Sequence, residues 1–303
     1  MSTSASLRFL QVDVFTARAG GGNPLGVVIG AEQWSSARMQ AFAAWTQLVE
    51  TTFLLPPTTS TASYRLRIFT PFREIAFAGH PSIGSAHAAL DAGIASAHSG
   101  QLQQSCLAGE ISLRVEGEGP QRRIFVQSPA AEVVAPESAD LAALAALMHG
   151  LDLGDLRPAL VAGGRRWWLA ELADESSLRA WQPDHAAIAQ LAKASDSLGL
   201  CVFARSSSAD FALVVRAFPC GVGINEDPAS GAANGLIAAF LRLREPGSAL
   251  AQGYRVSQGR ELGRDAMIQV RYDELGRSWI GGQTQTVIDG RLHFPAPPLP
   301  LVS

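Results

Sequence analysis

Cysteine is scarce in this chain, and what there is has no pattern. Cys106, Cys201 and Cys220 are an odd number without C-x-x-C spacing, which excludes a disulfide framework and a thiolate zinc site. They suit a reducing compartment. Cys201 lies in the apolar run 198–204 and reads as a buried small hydrophobe. No run of Lys or Arg is present and the formal net charge is -3, so the basic footprint of a nucleic-acid binder is missing. No apolar stretch reaches bilayer-spanning length, and the start, Met1-Ser-Thr-Ser-Ala-Ser6, lacks the basic and apolar regions of a secretory signal. A soluble cytoplasmic protein, with no nucleic-acid or membrane partner, is expected. The six histidines (80, 87, 98, 149, 185, 293) are scattered, which gives no metal site, and H-E-x-x-H and G-x-S-x-G are absent. Gly20-Gly-Gly-Asn-Pro-Leu-Gly26 lacks both the P-loop Lys-Ser/Thr and the G-x-G-x-x-G spacing, and reads as a turn between two strands.

What is present is apolar material, 47% of residues against 17% charged, in a chain long enough for two domains. Runs 7–15, 27–29, 64–70, 110–115, 123–127, 198–204 and 211–217 read as strands. Helical periodicity marks 35–49, 82–92, 138–149 and 184–194, with Ser138 and Asp184 as N-caps of the last two. Strands in clusters broken by single helices argue for an α+β arrangement over a doubly wound sheet.

One internal echo stands out. His80-Pro-Ser-Ile-Gly-Ser-Ala86 and Asp227-Pro-Ala-Ser-Gly-Ala-Ala233 share X-Pro-x-x-Gly-x-Ala, 147 residues apart, and each opens an apolar helical stretch. Two similar domains, each wrapped round one helix, would account for it. With Pro at the first helical position, His80 and Asp227 become N-caps. Unpaired N–H groups and the helix dipole then offer a carboxylate or phosphate site at each start. Asp is also an ordinary cap, and His80 an ordinary packed histidine, so each has a structural reading beside the functional one. A helix start disfavours imidazolium, which would keep His80 neutral and able to exchange a proton. Glu50, in Trp45-Thr-Gln-Leu-Val-Glu50-Thr-Thr-Phe53, is read at a helix C-terminus among apolar neighbours. Both features oppose its charged form, which suits a general acid/base; the alternative is a Glu turned outward to water.

Gly22-Asn23-Pro24, Glu50-Thr-Thr-Phe53, Ile68-Phe-Thr-Pro71, Glu74, Phe77-Ala-Gly-His-Pro81, Gly84, Glu226-Asp-Pro-Ala-Ser-Gly231, Gln258-Gly259 and Gly263-Arg264 occur in that order. Together they resemble the phenazine-biosynthesis PhzF-like family, across nearly the whole chain. The resemblance implies a diaminopimelate-epimerase-like α+β fold: two similar domains, each a β-barrel-like sheet around a central helix, with the site between them. The expected boundaries are 1–123, with 285–303 returning to it, and 124–284. It also implies a homodimer that uses no metal or organic cofactor and isomerises a small carboxylated substrate. Glu50 would carry the proton, assisted by His80 and Asp227, while Gly79, Gly84, Ser85, Ser230, Gly231 and Ala232 would bind substrate. One departure matters: the family's Ser hydroxyl is missing at Ala232, which puts the phenazine substrate itself in question. A two-base racemase or epimerase, and a catalytically silent binding protein of the same fold, remain as alternatives; Cys106, Cys201 and Cys220 do not match the paired cysteines of diaminopimelate epimerase.

Overall fold

The computed structural model describes residues 7–294. The readings made on Met1–Ser6 and on 295–303 lie outside these residues. The chain divides into two compact units. Of the described residues, the first holds 7–20, 24–126 and 283–294, and the second holds Gly21–Asn23 and Gln127–Gly282.

The first unit contains β1 (Arg8–Val14), β2 (Asn23–Ile29), α1 (Ser36–Thr46), β3 (Thr51–Leu55), β4 (Tyr64–Phe69), β5 (Glu74–Ile75), α2 (Gly79–Asp91), β6 (Gln101–Cys106), β7 (Gly109–Glu116) and β8 (Arg123–Gln127). The second contains β9 (Glu132–Val134), α3 (Ser138–Leu147), β10 (Ala159–Gly163), β11 (Arg165–Glu171), α4 (Glu175–Ala180), α5 (His185–Ala194), β12 (Leu200–Arg205), β13 (Leu213–Phe218), α6 (Gly231–Arg244), β14 (Tyr254–Gln258), β15 (Ala266–Tyr272) and β16 (Ser278–Gly282). A last strand, β17 (Thr284–Arg291), pairs antiparallel with β1.

The pairing pattern explains the echo in the sequence. In the first unit the strands run β17, β1, β2, β3, β4, β6, β7, β8, with parallel pairs at β2/β3 and β4/β6. In the second they run β9 to β16 in chain order, with parallel pairs at β11/β12 and β13/β14. The parallel steps fall at the same two places in each series. A parallel step needs a crossover, and α2 (between β4 and β6) and α6 (between β13 and β14) are those crossovers. The α1 connection before β3 corresponds to α4 and α5 before β12.

Both crossover helices are buried on several faces because their residues are small or apolar all round. In α2, every residue from His80 to Ala89 is buried, and the helix touches β1, β3, β4 and β17. In α6, Ala233–Ala238, Phe240 and Leu241 are buried, against β9, β10, β11, β15 and β16. Contact with strands from separate parts of one series means that each sheet curves around its helix. Glycine permits the close approach. A Cβ at Gly84 would sit 2.6 Å from Leu25 Cδ2 and 2.8 Å from Val14 Cγ2. One at Gly235 would sit 2.1 Å from Ser128 Oγ. A satellite core in the first unit gathers Trp34, Phe42, Phe53 and Phe69 under α1, each such burial contributing about 1.5–3 kcal/mol.

The two helix starts differ from the expectation that His80 and Asp227 are N-caps. Helix α2 begins at Gly79 with Ala78 as its cap, so His80 and Pro81 lie inside the first turn. Pro81 is tolerated there because its missing N–H would have had no intrahelical acceptor. Helix α6 begins at Gly231, where Ser230 accepts from the Ala233 N–H, and Asp227-Pro228 lie in the preceding turn. The cap of α3 is Glu137 where Ser138 was expected, whereas Asp184 does cap α5.

Candidate active site

The first constellation lies in the first unit. Helix α1 ends at Thr46, with Gln47 at φ 55° as its left-handed C-cap, and three further residues lead to Glu50 just before β3. Glu50 therefore sits beyond the last turn, where the dipole has faded, and not at the helix C-terminus as expected. Its side chain is 13% exposed and Oε2 is sealed from solvent. Oε2 lies 3.5 Å from His80 Nε2, itself buried.

This contact is not an ion pair. Burial pushes the His80 pKa down to about 3, against a smaller opposing effect from a hydrogen bond to the Pro24 backbone. Proline has no N–H, so the Pro24 partner is its carbonyl and the ring must donate to it. Nε2 makes no hydrogen bond, which leaves Nδ1 as the donor and Nε2 with its lone pair toward Glu50. His80 is thus a neutral imidazole of fixed tautomer.

Behind this pair the packing is dry. Ser85 Oγ meets Thr52 Oγ1 at 2.9 Å in the interior, and Gly84 faces Leu25 and Val14. Both expected substrate contacts are turned into the core, because the close fit of α2 against β1 and β2 consumes that face. Gly79 is different: it is half-buried, and a Cβ there would meet only Val126 Cγ1, at 3.7 Å.

The second constellation lies in the second unit, in the turn before α6. Arg216 and Glu226 form a buried two-pronged ion pair, Nε to Oε1 at 2.9 Å and Nη2 to Oε2 at 2.8 Å. Arg216 Nη1 also donates to the Leu178 and Trp181 carbonyls. The next residue, Asp227, is tied by its own N–H to the Ala217 carbonyl at 2.9 Å. Its Oδ1 accepts from Asn23 Nδ2 at 2.9 Å and from the Ala229 N–H at 3.2 Å. Gln258, fully buried, donates to the Asp227 carbonyl and accepts from the Ser230 N–H and from Asn234 Nδ2. Burial raises the Asp227 pKa to about 6, with the donors from Ala229, Ser230 and Asn23 pulling the other way and the Glu226 charge adding to the rise. The side chain keeps some solvent contact, which screens part of this.

Ser230 accepts the Ala233 N–H at the α6 cap, gives its own N–H to Gln258 and bonds the Asp227 carboxylate through its hydroxyl, so it serves the turn. Gly231 is half-buried and Ala232 exposed, and they supply the first N–H groups of α6. Asn23, Gln258, Asn234 and the Arg216–Glu226 pair had no role assigned from sequence. Asn23, Gln258 and Glu226 do fall in the ordered motifs, which was the available signal. Two open grooves in the second unit, about 680 Å³ between α3 and α5 and about 420 Å³ beside Lys193 and Cys220, contain none of the nine candidate residues. Among the described residues no helix is long and apolar enough to cross a membrane.

Comparison with known proteins gives one answer. Residues 12–290 match the family described as phenazine biosynthesis-like protein, PhzC-PhzF. The chain is 31% identical over 292 residues to Antisense-enhancing sequence 1 of Schizosaccharomyces pombe, covering 93% of this chain and 97% of that protein. It is 30% identical over 294 residues to trans-2,3-dihydro-3-hydroxyanthranilate isomerase of Pseudomonas aeruginosa, covering 95% and 99%. The solved Bacillus anthracis phenazine biosynthesis protein of the PhzF family aligns with a TM-score of 0.80 at 21% identity, over 95% of this chain and 99% of that one, which speaks to the fold alone. The α+β, diaminopimelate-epimerase-like fold expected from sequence is the fold observed. The chain belongs to the phenazine biosynthesis-like PhzC-PhzF family, a family of isomerases and epimerases.

Proposed function

We propose that the protein is a cofactor-independent isomerase of a small carboxylated molecule, with Glu50 as the group that moves the proton. The observation that carries this reading is the Glu50–His80 pair: a sealed carboxyl oxygen 3.5 Å from the lone-pair nitrogen of a neutral imidazole. Protonated Glu50 can donate toward that nitrogen, whereas ionised Glu50 faces its lone pair, so the pair supports the carboxyl form and favours regaining the proton. A general acid/base needs both forms within reach near neutral pH. Ionised Glu50 takes a proton from an acidic carbon beside an unsaturated system. The electron pair delocalises, and the same proton returns to another carbon, so no oxidant or reductant is consumed.

Backbone N–H groups at Gly79 and at Gly231–Ala232 favour a carboxylate on the substrate and stabilise negative charge as it develops. Asp227, near pKa 6, is the second titratable group required for turnover. On the same reading the enzyme is a cytoplasmic homodimer, a state that light scattering checks for its oligomeric half. Ala232 offers no side-chain hydroxyl, so a relative of the phenazine precursor is favoured over the precursor itself.

Proton NMR in D₂O with trans-2,3-dihydro-3-hydroxyanthranilate, run on wild type and Glu50→Gln, tests the reading. Deuterium entry and isomerisation lost in the variant support it. Equal activity in both removes Glu50 from the chemistry, and silence in both removes this substrate. The two-base racemase or epimerase reading draws on Asp227, whose raised pKa qualifies it as a second base; exchange with inversion at one carbon, and no movement of the double bond, would select it.

A further inference from the structure

Asn23, the first residue of β2, groups with the second unit although the rest of that strand belongs to the first, and it is the least accounted-for polar side chain there. It is fully buried, and its Nδ2 makes two hydrogen bonds, to Asp227 Oδ1 at 2.9 Å and to the Ala229 carbonyl at 2.8 Å. Both partners can only accept, so the amide orientation is fixed by chemistry: the nitrogen, not the oxygen, must face Asp227. Asn23 Oδ1, pointing the other way, is buried without a hydrogen-bond partner. Leaving a buried amide oxygen unsatisfied is costly, so what the nitrogen does must offset it.

The two oxygens of Asp227 are not equivalent. Among the described residues both N–H donors to the carboxylate, from Asn23 and Ala229, go to Oδ1, and the Ser230 hydroxyl adds an O–H donor. A proton added to the carboxylate goes to the oxygen whose lone pairs are not already used. We propose that Asn23 is a positioning residue for Asp227, fixing Oδ1 by its donated N–H so that Oδ2 alone carries the proton.

The other groups bearing on Asp227 are few. Glu226, next in the turn, is neutralised in large part by Arg216 of β13; Cys201 of β12 is buried and holds its proton; the Ala229 N–H and the Ser230 hydroxyl each lower the Asp227 pKa, by more than Asn23 does. Asn23 is therefore the side-chain N–H donor that fixes the direction of this carboxyl, and it shares the lowering of its pKa with Ala229 and Ser230. The proposal rests on the reading that Asp227 takes part in turnover, and its test separates the two.

The experiment is a carboxyl carbon-13 NMR titration of Asp227, assigned by its loss in Asp227→Asn, in wild type, Asn23→Leu and Asn23→Asp, beside pH–rate profiles on the active substrate. Loss of a donor to a charged group should raise the Asp227 midpoint by about one pH unit in Asn23→Leu. In Asn23→Asp, which keeps the shape of the side chain and serves if the leucine variant does not fold, two carboxyls share the site. Their titration should split into two coupled steps, the upper one above the wild-type midpoint. kcat should fall about tenfold with KM within twofold, and the acidic limb of the rate profile should move up with the midpoint. An unmoved midpoint in a folded variant overturns the role of Asn23. A midpoint that moves while the rate profile does not supports the hold of Asn23 and overturns the part played by Asp227 in turnover.

Discussion

The two units share a strand order and a buried crossover helix, yet the polar groups at the two helix starts are held by opposite means. At α2, His80 and Glu50 are poised by exclusion: two buried atoms face each other, with one hydrogen bond to the Pro24 backbone holding the ring. At α6, Asp227 is poised by saturation, with donors from Asn23, Ala229 and the Ser230 side chain around it and Gln258 locking the turn. Duplicated topology has not duplicated the chemistry. In the first unit desolvation decides which form of a group survives; in the second, burial and donors pull against one another and leave an intermediate acidity.

The sharpest way to test this contrast is to neutralise one carboxyl in each unit. Glu50→Gln should cut deuterium exchange by about 10³-fold or more, since it removes the proposed proton carrier. Asp227→Asn should cut it less, about 10²-fold, because an amide at 227 still accepts the two N–H groups on its oxygen. Equal losses would mean that both carboxyls move protons, and would shift weight to the two-base reading.

The next effect is on stability in acid. His80 has a folded pKa of about 3 against 6.5 when exposed, so between those values the unfolded chain binds the extra proton. Its contribution is intact above pH 6.5 and is lost as pH falls toward 3, by about 1.4 kcal/mol per unit. Urea unfolding at pH 7 and pH 4.5 should show His80→Gln closing on wild type by about 2–3 kcal/mol over that interval. A constant gap would mean that the imidazole takes up its proton in the folded protein as readily as in the unfolded chain.

Asp227 has the opposite sign. Its folded pKa is raised from 3.8 to about 6, so the folded state binds the extra proton in that window and stability falls as pH rises through it. Above pH 6 the ionised carboxylate is a standing cost, about 1–2 kcal/mol once its solvent contact is allowed for. Asp227→Asn should therefore unfold at higher urea than wild type at pH 7, and the gain should vanish near pH 4. A variant less stable at both pH values would show that the donor network prefers the charge.

These contrasts mark where sequence was informative. The strands read at 64–70, 198–204 and 211–217 are found at Tyr64–Phe69, Leu200–Arg205 and Leu213–Phe218, because their signals are local. The echo at His80 and Asp227 pointed to two similar halves, and the matching parallel steps give it a physical basis. The cap assignments failed because a Pro rule was applied to both copies, while the Ser230 hydroxyl and the Gln258 amide move the start of α6 three residues past Pro228. Asn23 could not be given a role from sequence, since its partner lies 204 positions away. Gly84 and Ser85 were legible as small residues near a helix start, but which face they occupy depends on packing against β1, β2 and Thr52.

The smallest expected effect compares the two close approaches directly. At Gly84 a methyl group would press on Leu25, Val14 and Val12, three side chains from two strands that cannot all yield together. Gly84→Ala should cost about 2–3 kcal/mol as overpacking, of which the gain in helix propensity recovers about 1 kcal/mol. At Gly235 the nearest atom is Ser128 Oγ, at 2.1 Å, which a change of rotamer removes; Ser128 Cβ at 3.1 Å then needs only a small shift. Alanine gains about 1 kcal/mol of helix propensity over glycine, so Gly235→Ala should fall within about 1 kcal/mol of wild type. Thermal unfolding of the two variants decides it: a clear loss at 84 with near neutrality at 235 means the α2 contact is set by rigid strand side chains and the α6 contact by one movable hydroxyl. Equal losses would show that Ser128 is held as firmly as the β1 and β2 valines and leucine.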